Sequence, residues 1–289
     1  MTPQKSLLSQ VGSLYSQVVN YIKKYPLLIT PFLIFTILEL LSIIILFLAP
    51  RMPFRLLLAP PIRAFWGERF LHYPINFMLL PKLASLSRMV LSVVIGSFLT
   101  GMAVFLFGRI AEKREPRLKD AVQGSLKKYA ALFLIVFGYV GIYYFLNKFF
   151  LIALAKYFVA GHRKLLFLGA GLWMGPILLA ISFILAILVQ SAFIYAIPAL
   201  IIGREKLLKA IGTSFRFFLK NFFLTLVLVG LPMLFYVPII IFQLNASFLI
   251  IKIFPESMLW VLLLGSVVSS LVIDLLITLV SAQVYIHKK

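Results

Sequence analysis

The chain reads as an all-α integral membrane protein of about six transmembrane helices, arranged as three repeats of an interfacial amphipathic helix plus a transmembrane hairpin. Three observations carry that reading. Of 289 residues, 63% are hydrophobic and only 12% are charged, too few charges to cover a water-soluble domain. Apolar runs of membrane-crossing length recur six times. Basic stretches with helical periodicity lead into three of them.

The spans follow from allowing about 20 apolar residues per helical crossing. They fall at 27–49, 89–108, 129–147, 171–194, 221–242 and 257–281. The fourth has the softest edges, because apolar sequence runs almost unbroken over 165–202. Pro176 and Pro198 are expected to kink or end it, as Pro232 and Pro238 do in the fifth. An even number of spans leaves both termini on one side. Residues 1–25 lack the continuous apolar stretch of a secretory leader.

The repeat rests on periodicity. In the first module Leu7, Val11, Leu14, Val18 and Ile22 form one apolar stripe of a helix, with Gln10, Ser13, Gln17 and Lys24 off it. Leu118, Ala121, Val122, Ser125, Leu126 and Tyr129 keep the same period in the second, after Pro116 as a starter. Leu207, Leu208, Ile211, Phe215, Phe218 and Leu219 keep it in the third. Ala121 and Ser125 align with Ala210 and Ser214, 89 residues later. The whole is one membrane domain with units at about 1–110, 111–202 and 203–289. These helices serve either as plain elbows at the membrane surface or as headgroup binders. In the second case Lys23, Lys24, Lys119, Lys127, Lys128, Arg216 and Lys220 contact lipid phosphate, at about 1 kcal/mol each.

Charge supports the same picture. The net charge of +20 comes from 28 Lys+Arg against 8 Asp+Glu. In a soluble protein that excess suggests nucleic acid. Here the cations flank apolar spans, so the expected partner is a bilayer with anionic headgroups, and no nucleic acid. Seventeen of the 28 cations share the side of the termini, which favours cytoplasmic termini in a bacterial inner membrane. The first opposite loop, 50–88, is itself basic and weakens that bias. Its Arg63, Phe65, Trp66, Arg69, Phe70 and Tyr73 interleave as in a segment lying on the outer membrane face.

Two junctions carry a likeness. Over 195–226 an apolar span ends near Pro198 and a short charged turn follows. Then come Ala210 and Ser214, and the basic–Asn–aromatic entry Lys220, Asn221, Phe222. A second junction, at 111–132, places Pro116 before a short helix. These stretches resemble the membrane domain of bacterial glycerophosphodiester phosphodiesterases and related stand-alone bacterial membrane proteins of unknown function. Elsewhere the likeness is architectural. It implies a fold and no chemistry, since a phosphodiesterase of that kind needs a soluble barrel with acidic metal ligands and paired histidines.

Nothing in the sequence supplies such a set. There is no Cys, and His72, His162 and His287 have no acidic neighbour close enough to form a ligand motif. Phosphate-binding glycine loops and the nucleophile and zinc motifs are missing as well. The reading is therefore non-enzymatic, with no cofactor and no metal.

The residues that stand out are ionisable ones inside spans, where an unpaired charge is expensive. Glu39 lies near the centre of the first span. Asp274 belongs to a stripe in the sixth, where Ser266, Ser270, Asp274 and Thr278 recur every four residues, with Ser281 three further on. That spacing puts all five on one helix face, turned from lipid. Two readings stand: a polar seam around a protonatable or cation-binding Asp274, or a hydrogen-bonded carboxyl that glues helices. Lys148 is a candidate charge partner, although its place near a span end favours snorkelling.

The function expected from these residues is a non-enzymatic multi-pass membrane protein that organises lipids or partner proteins, alone or as a homo-oligomer. The alternative is a small transporter or channel built on Glu39 and Asp274. It requires a substrate path that six spans with few polar residues barely supply.

Overall fold

The computed structural model describes residues 7–161 and 171–288. It is helical throughout, with no strand among the described residues. Six helices are long and apolar enough to cross a membrane: Pro26–Phe47, Asn76–Ala111, Tyr129–Phe150, Ile177–Ile201, Phe222–Leu244 and Ser257–His287. Packing divides them. The second and sixth are the most enclosed by protein, whereas only 17% of the third and 22% of the fourth is buried. Spans two and six, with the first against them, therefore form the centre of the bundle, and the third and fourth form a peripheral hairpin.

Local chemistry explains the breaks. Pro26 opens a 3₁₀ turn, Pro26–Ile29, and Pro31 sits in the first turn of the helix Thr30–Phe47, where its missing N–H costs nothing. The fifth span breaks at its prolines into Phe222–Met233, a 3₁₀ turn Leu234–Tyr236, and Val237–Leu244. In the fourth a turn at Ile194 and Tyr195 precedes the short helix Ala196–Ile201, which contains Pro198.

All three basic helices are present, at Leu7–Lys24, Leu118–Leu126 and Leu207–Lys220. Each packs a narrow face inward: Val11 and Val18 in the first, Ala121 and Ser125 in the second, and Ala210, Ser214 and Phe218 in the third. The Ser214 hydroxyl donates to the Ala192 carbonyl at 2.7 Å and accepts from the Tyr195 amide at 3.2 Å, seating the third helix on the end of the fourth span. The small Ala–Ser pairs thus serve close packing at two junctions. A basic residue in the left-handed region turns the chain before two of these helices, Lys113 at φ 57° and Arg204 at φ 53°. At the first, Lys113 N–H donates to the Ile110 carbonyl and Arg114 N–H to the Arg109 carbonyl, a Schellman closure of the long second span.

The first opposite loop, 50–88, is largely helical. It forms a helix Phe54–Trp66 and a turn Glu68–Leu71, gathered over a small core of Ala49, Ala59, Ile62, Leu71 and Leu79. The second span begins at Asn76, thirteen residues before the expected 89. Pro81, without an amide N–H, and the charged Lys82 are locally unfavourable in a helix crossing apolar surroundings. Tertiary packing overrides both, because Phe77, Leu80 and Ala84 seal against Ile43, Met258 and Leu262 of the first and sixth spans. One consequence is that Arg88 belongs to the interior of a helix.

Candidate functional site

Arg88 reaches both intramembrane carboxylates. Its Nε lies 3.2 Å from Glu39 Oε1, and its Nη2 donates to Asp274 Oδ2 at 3.1 Å. Glu39 is buried, at 2% exposure, and its other oxygen accepts from the Ser270 hydroxyl. Oε1 itself accepts no hydrogen bond. The carboxylates come to one place because each lies thirteen residues inside its span, counted from Pro26 and from His287. At 1.5 Å per residue that is about 20 Å along each helix, well within a hydrocarbon core about 30 Å thick.

Two irregular turns frame the cluster. A π-helical stretch, Ser92–Gly96, follows Arg88 by one turn, and another, Val268–Asp274, ends on the aspartate. Four residues slightly exceed one α turn and fall short of a turn closed by i→i+5 bonds. The π stretch therefore rotates the sixth helix back and keeps Ser266, Ser270, Asp274 and Thr278 close to one file. Ser266, Ser270, Thr278 and Ser281 are all buried.

Three cavities meet at this point. One of about 240 Å³ is lined by Glu39, Ser42, Ser85, Arg88, Gln243 and Ser269 among others. A second, about 400 Å³, lies against the peripheral hairpin and touches Arg88, Tyr139, Ser182, Gln190, Tyr236 and Asp274. The third, about 100 Å³, runs toward the end that carries the termini, past Ser92, Thr100, Asp274, Thr278 and Ser281. Asp274 keeps 35% of its side chain accessible, and that fraction opens into the two cavities it lines. The ion cluster is the partition between the chambers.

The predicted residues divide cleanly. Glu39 and Asp274 meet at Arg88 and Ser270 donates to Glu39, while Ser266 and Thr278 line adjoining cavities. Lys23, Lys24, Lys119, Lys127, Arg216 and Lys220 are exposed on or beside the basic helices. Lys128 differs: it is half-buried and donates to the Leu200 carbonyl at the end of the fourth span. Burial and the neighbouring Arg204 push its ammonium below the usual lysine range. Lys148 is exposed and has no part in the cluster. His72 and His287 are exposed, and His162 lies outside the described residues. Among the described residues no three His, Asp or Glu gather as a metal site.

Arg88 is the residue that sequence reasoning missed, having been counted with the outer loop. The available signal was the run Leu83 to Leu91, which continues the helical apolar pattern of the span backward through small Ala84, Ser85 and Ser87.

No family model, curated protein or solved structure matches the chain.

Proposed function

We propose that the chain is a small membrane carrier for solutes bearing a positive charge, worked by Arg88, Glu39 and Asp274. One observation supports this above all: three cavities converge on a cluster in which two carboxylates face a single guanidinium. An ionisable group at this depth is a functional candidate by default, and the surplus carboxylate suits an ammonium-bearing solute. The cavities support this reading further, as polar-lined space inside a bundle whose sequence barely suggests a substrate path.

The test is solid-supported-membrane electrophysiology on proteoliposomes, with choline, ethanolamine and other small ammonium solutes as probes. Wild type gives solute-dependent currents, and Asp274→Asn and Glu39→Gln lose them while keeping their melting temperature. Silence of the wild type across the panel sinks the reading.

A second reading keeps the protein as an organiser of anionic lipid or of a partner protein. It is favoured by six exposed cations on or beside the basic helices. In that case Lys119→Gln with Lys127→Gln lowers the anionic lipid retained in native mass spectrometry, and Asp274→Asn does not. Both readings take the bacterial inner membrane with cytoplasmic termini, on the excess of cations at that end. Kinship with the phosphodiesterase membrane domains rests on the two junctions alone.

A further inference from the structure

The charges of the central cluster do not balance. Glu39 and Asp274 contribute two negative charges, Arg88 one positive, and the other titratable groups beside the guanidinium are the phenols of Tyr139 and Tyr236. A low-dielectric interior does not hold a surplus charge without compensation. The two carboxylates are also unlike. Asp274 takes a true hydrogen bond from Arg88 and opens into two cavities. Glu39 is almost fully enclosed and is among the residues lining the 240 Å³ cavity, and its Oε1, 3.2 Å from Arg88 Nε, accepts no hydrogen bond.

We propose that Glu39 is the seat of one exchangeable monovalent cation, either a proton or a sodium ion. A proton bonds covalently to one carboxyl oxygen of Glu39 and needs no further ligand. Sodium needs several oxygens, and the same cavity offers the hydroxyls of Ser42, Ser85, Ser266 and Ser269 and the side-chain amide of Gln243. Among the described residues of spans one, two and six, the charged groups that face Glu39 are Arg88 and Asp274. From the fifth span it is faced by Tyr236 and Gln243. Bound cation and cationic solute then satisfy the same surplus charge, which makes them competitors and the carrier an exchanger. That last consequence rests on the carrier reading, whereas cation binding at Glu39 does not.

The experiment uses the full chain in lipid nanodiscs and reads neutral carboxyl groups by infrared difference spectroscopy over about pH 5 to pH 9, with and without sodium chloride. The expected result is one titrating carboxyl per chain that shifts in frequency when glutamate carries a 13C carboxyl, is absent in Glu39→Gln, and titrates at lower pH in Asp274→Asn, where Arg88 faces a single carboxylate. If sodium is the ion, adding it removes that band at constant pH, and calorimetry with sodium chloride gives one site per chain that Glu39→Gln abolishes. Potassium chloride in place of sodium chloride serves as the ionic-strength control. A band that shifts instead with 13C-labelled aspartate overturns the assignment to Glu39. Absence of both the titrating band and sodium binding overturns it as well. Thermal melts of both variants matching wild type show that the substitutions left the fold intact. Binding without any ammonium current leaves this inference standing and removes the carrier reading. Currents without such binding do the reverse.

Discussion

Two arginine–aspartate pairs in this molecule have almost the same local geometry. Arg88 and Asp274 meet at 3.1 Å with 28% and 35% of their side chains accessible. For Arg109 and Asp120 the values are 3.0 Å, 27% and 35%. The difference lies in what the accessible part meets. Arg109 lies in the last turn of the second span and Asp120 in the first turn of a basic helix, at the end of the bundle that carries the termini. Arg88 and Asp274 open into cavities in the middle of the bundle, beside a third charge. Accessible area is thus a poor guide to electrostatics unless the medium on the other side is known. The same contact is a trimmed surface pair in one place and half of a buried network in the other.

The comparison breaks most easily at the arginines. Arg88→Ala leaves two carboxylates at mid-depth without a cation and is expected to cost about 3–5 kcal/mol of stability. Arg109→Ala should stay within about 1 kcal/mol. Thermal melts of both variants in the same nanodiscs check this, and equal losses would show that depth does not matter here. Next in size is Ser270→Ala, which removes the hydroxyl that Glu39 accepts from and is expected to cost about 1–3 kcal/mol. Of similar size is Gly203→Ala, at the end that carries the termini. An added Cβ there meets the Tyr285 hydroxyl and comes within 2.5 Å of the Ala199 carbonyl oxygen, for a cost of about 1–3 kcal/mol. That variant asks whether the end carrying the termini is packed as tightly as the middle. Smallest is the salt effect. The coupling of Arg109 with Asp120 in a double-mutant cycle should fade from low to high salt, while that of Arg88 with Asp274 holds, because ions screen the pair at the bundle end far more. Coupling that fades equally in both would place Arg88 and Asp274 in open water.

Much of the architecture was readable from residue order. Six apolar stretches, the proline breaks at 198, 232 and 238, and the three basic helices are local properties. Span length follows from hydropathy and helix rise, and stripes follow from the 3.6-residue period, neither of which needs a partner. Glu39 and Asp274 were legible as anomalies for the same reason: a carboxylate in an apolar run is conspicuous on its own.

Tertiary structure alone decided what those carboxylates meet. Arg88 stands 49 residues from one and 186 from the other, and no periodic pattern spans such distances. Its helix starts at Asn76, in spite of Pro81 and Lys82, because packing against the first and sixth spans outweighs local preference. Lys128 likewise looks in sequence like any other basic residue before a span. It becomes an internal donor only because the end of the fourth span comes to rest beside it. Local sequence sets which segments can be helices at membrane length. Which charges those helices bring together depends on contacts between segments far apart in the chain.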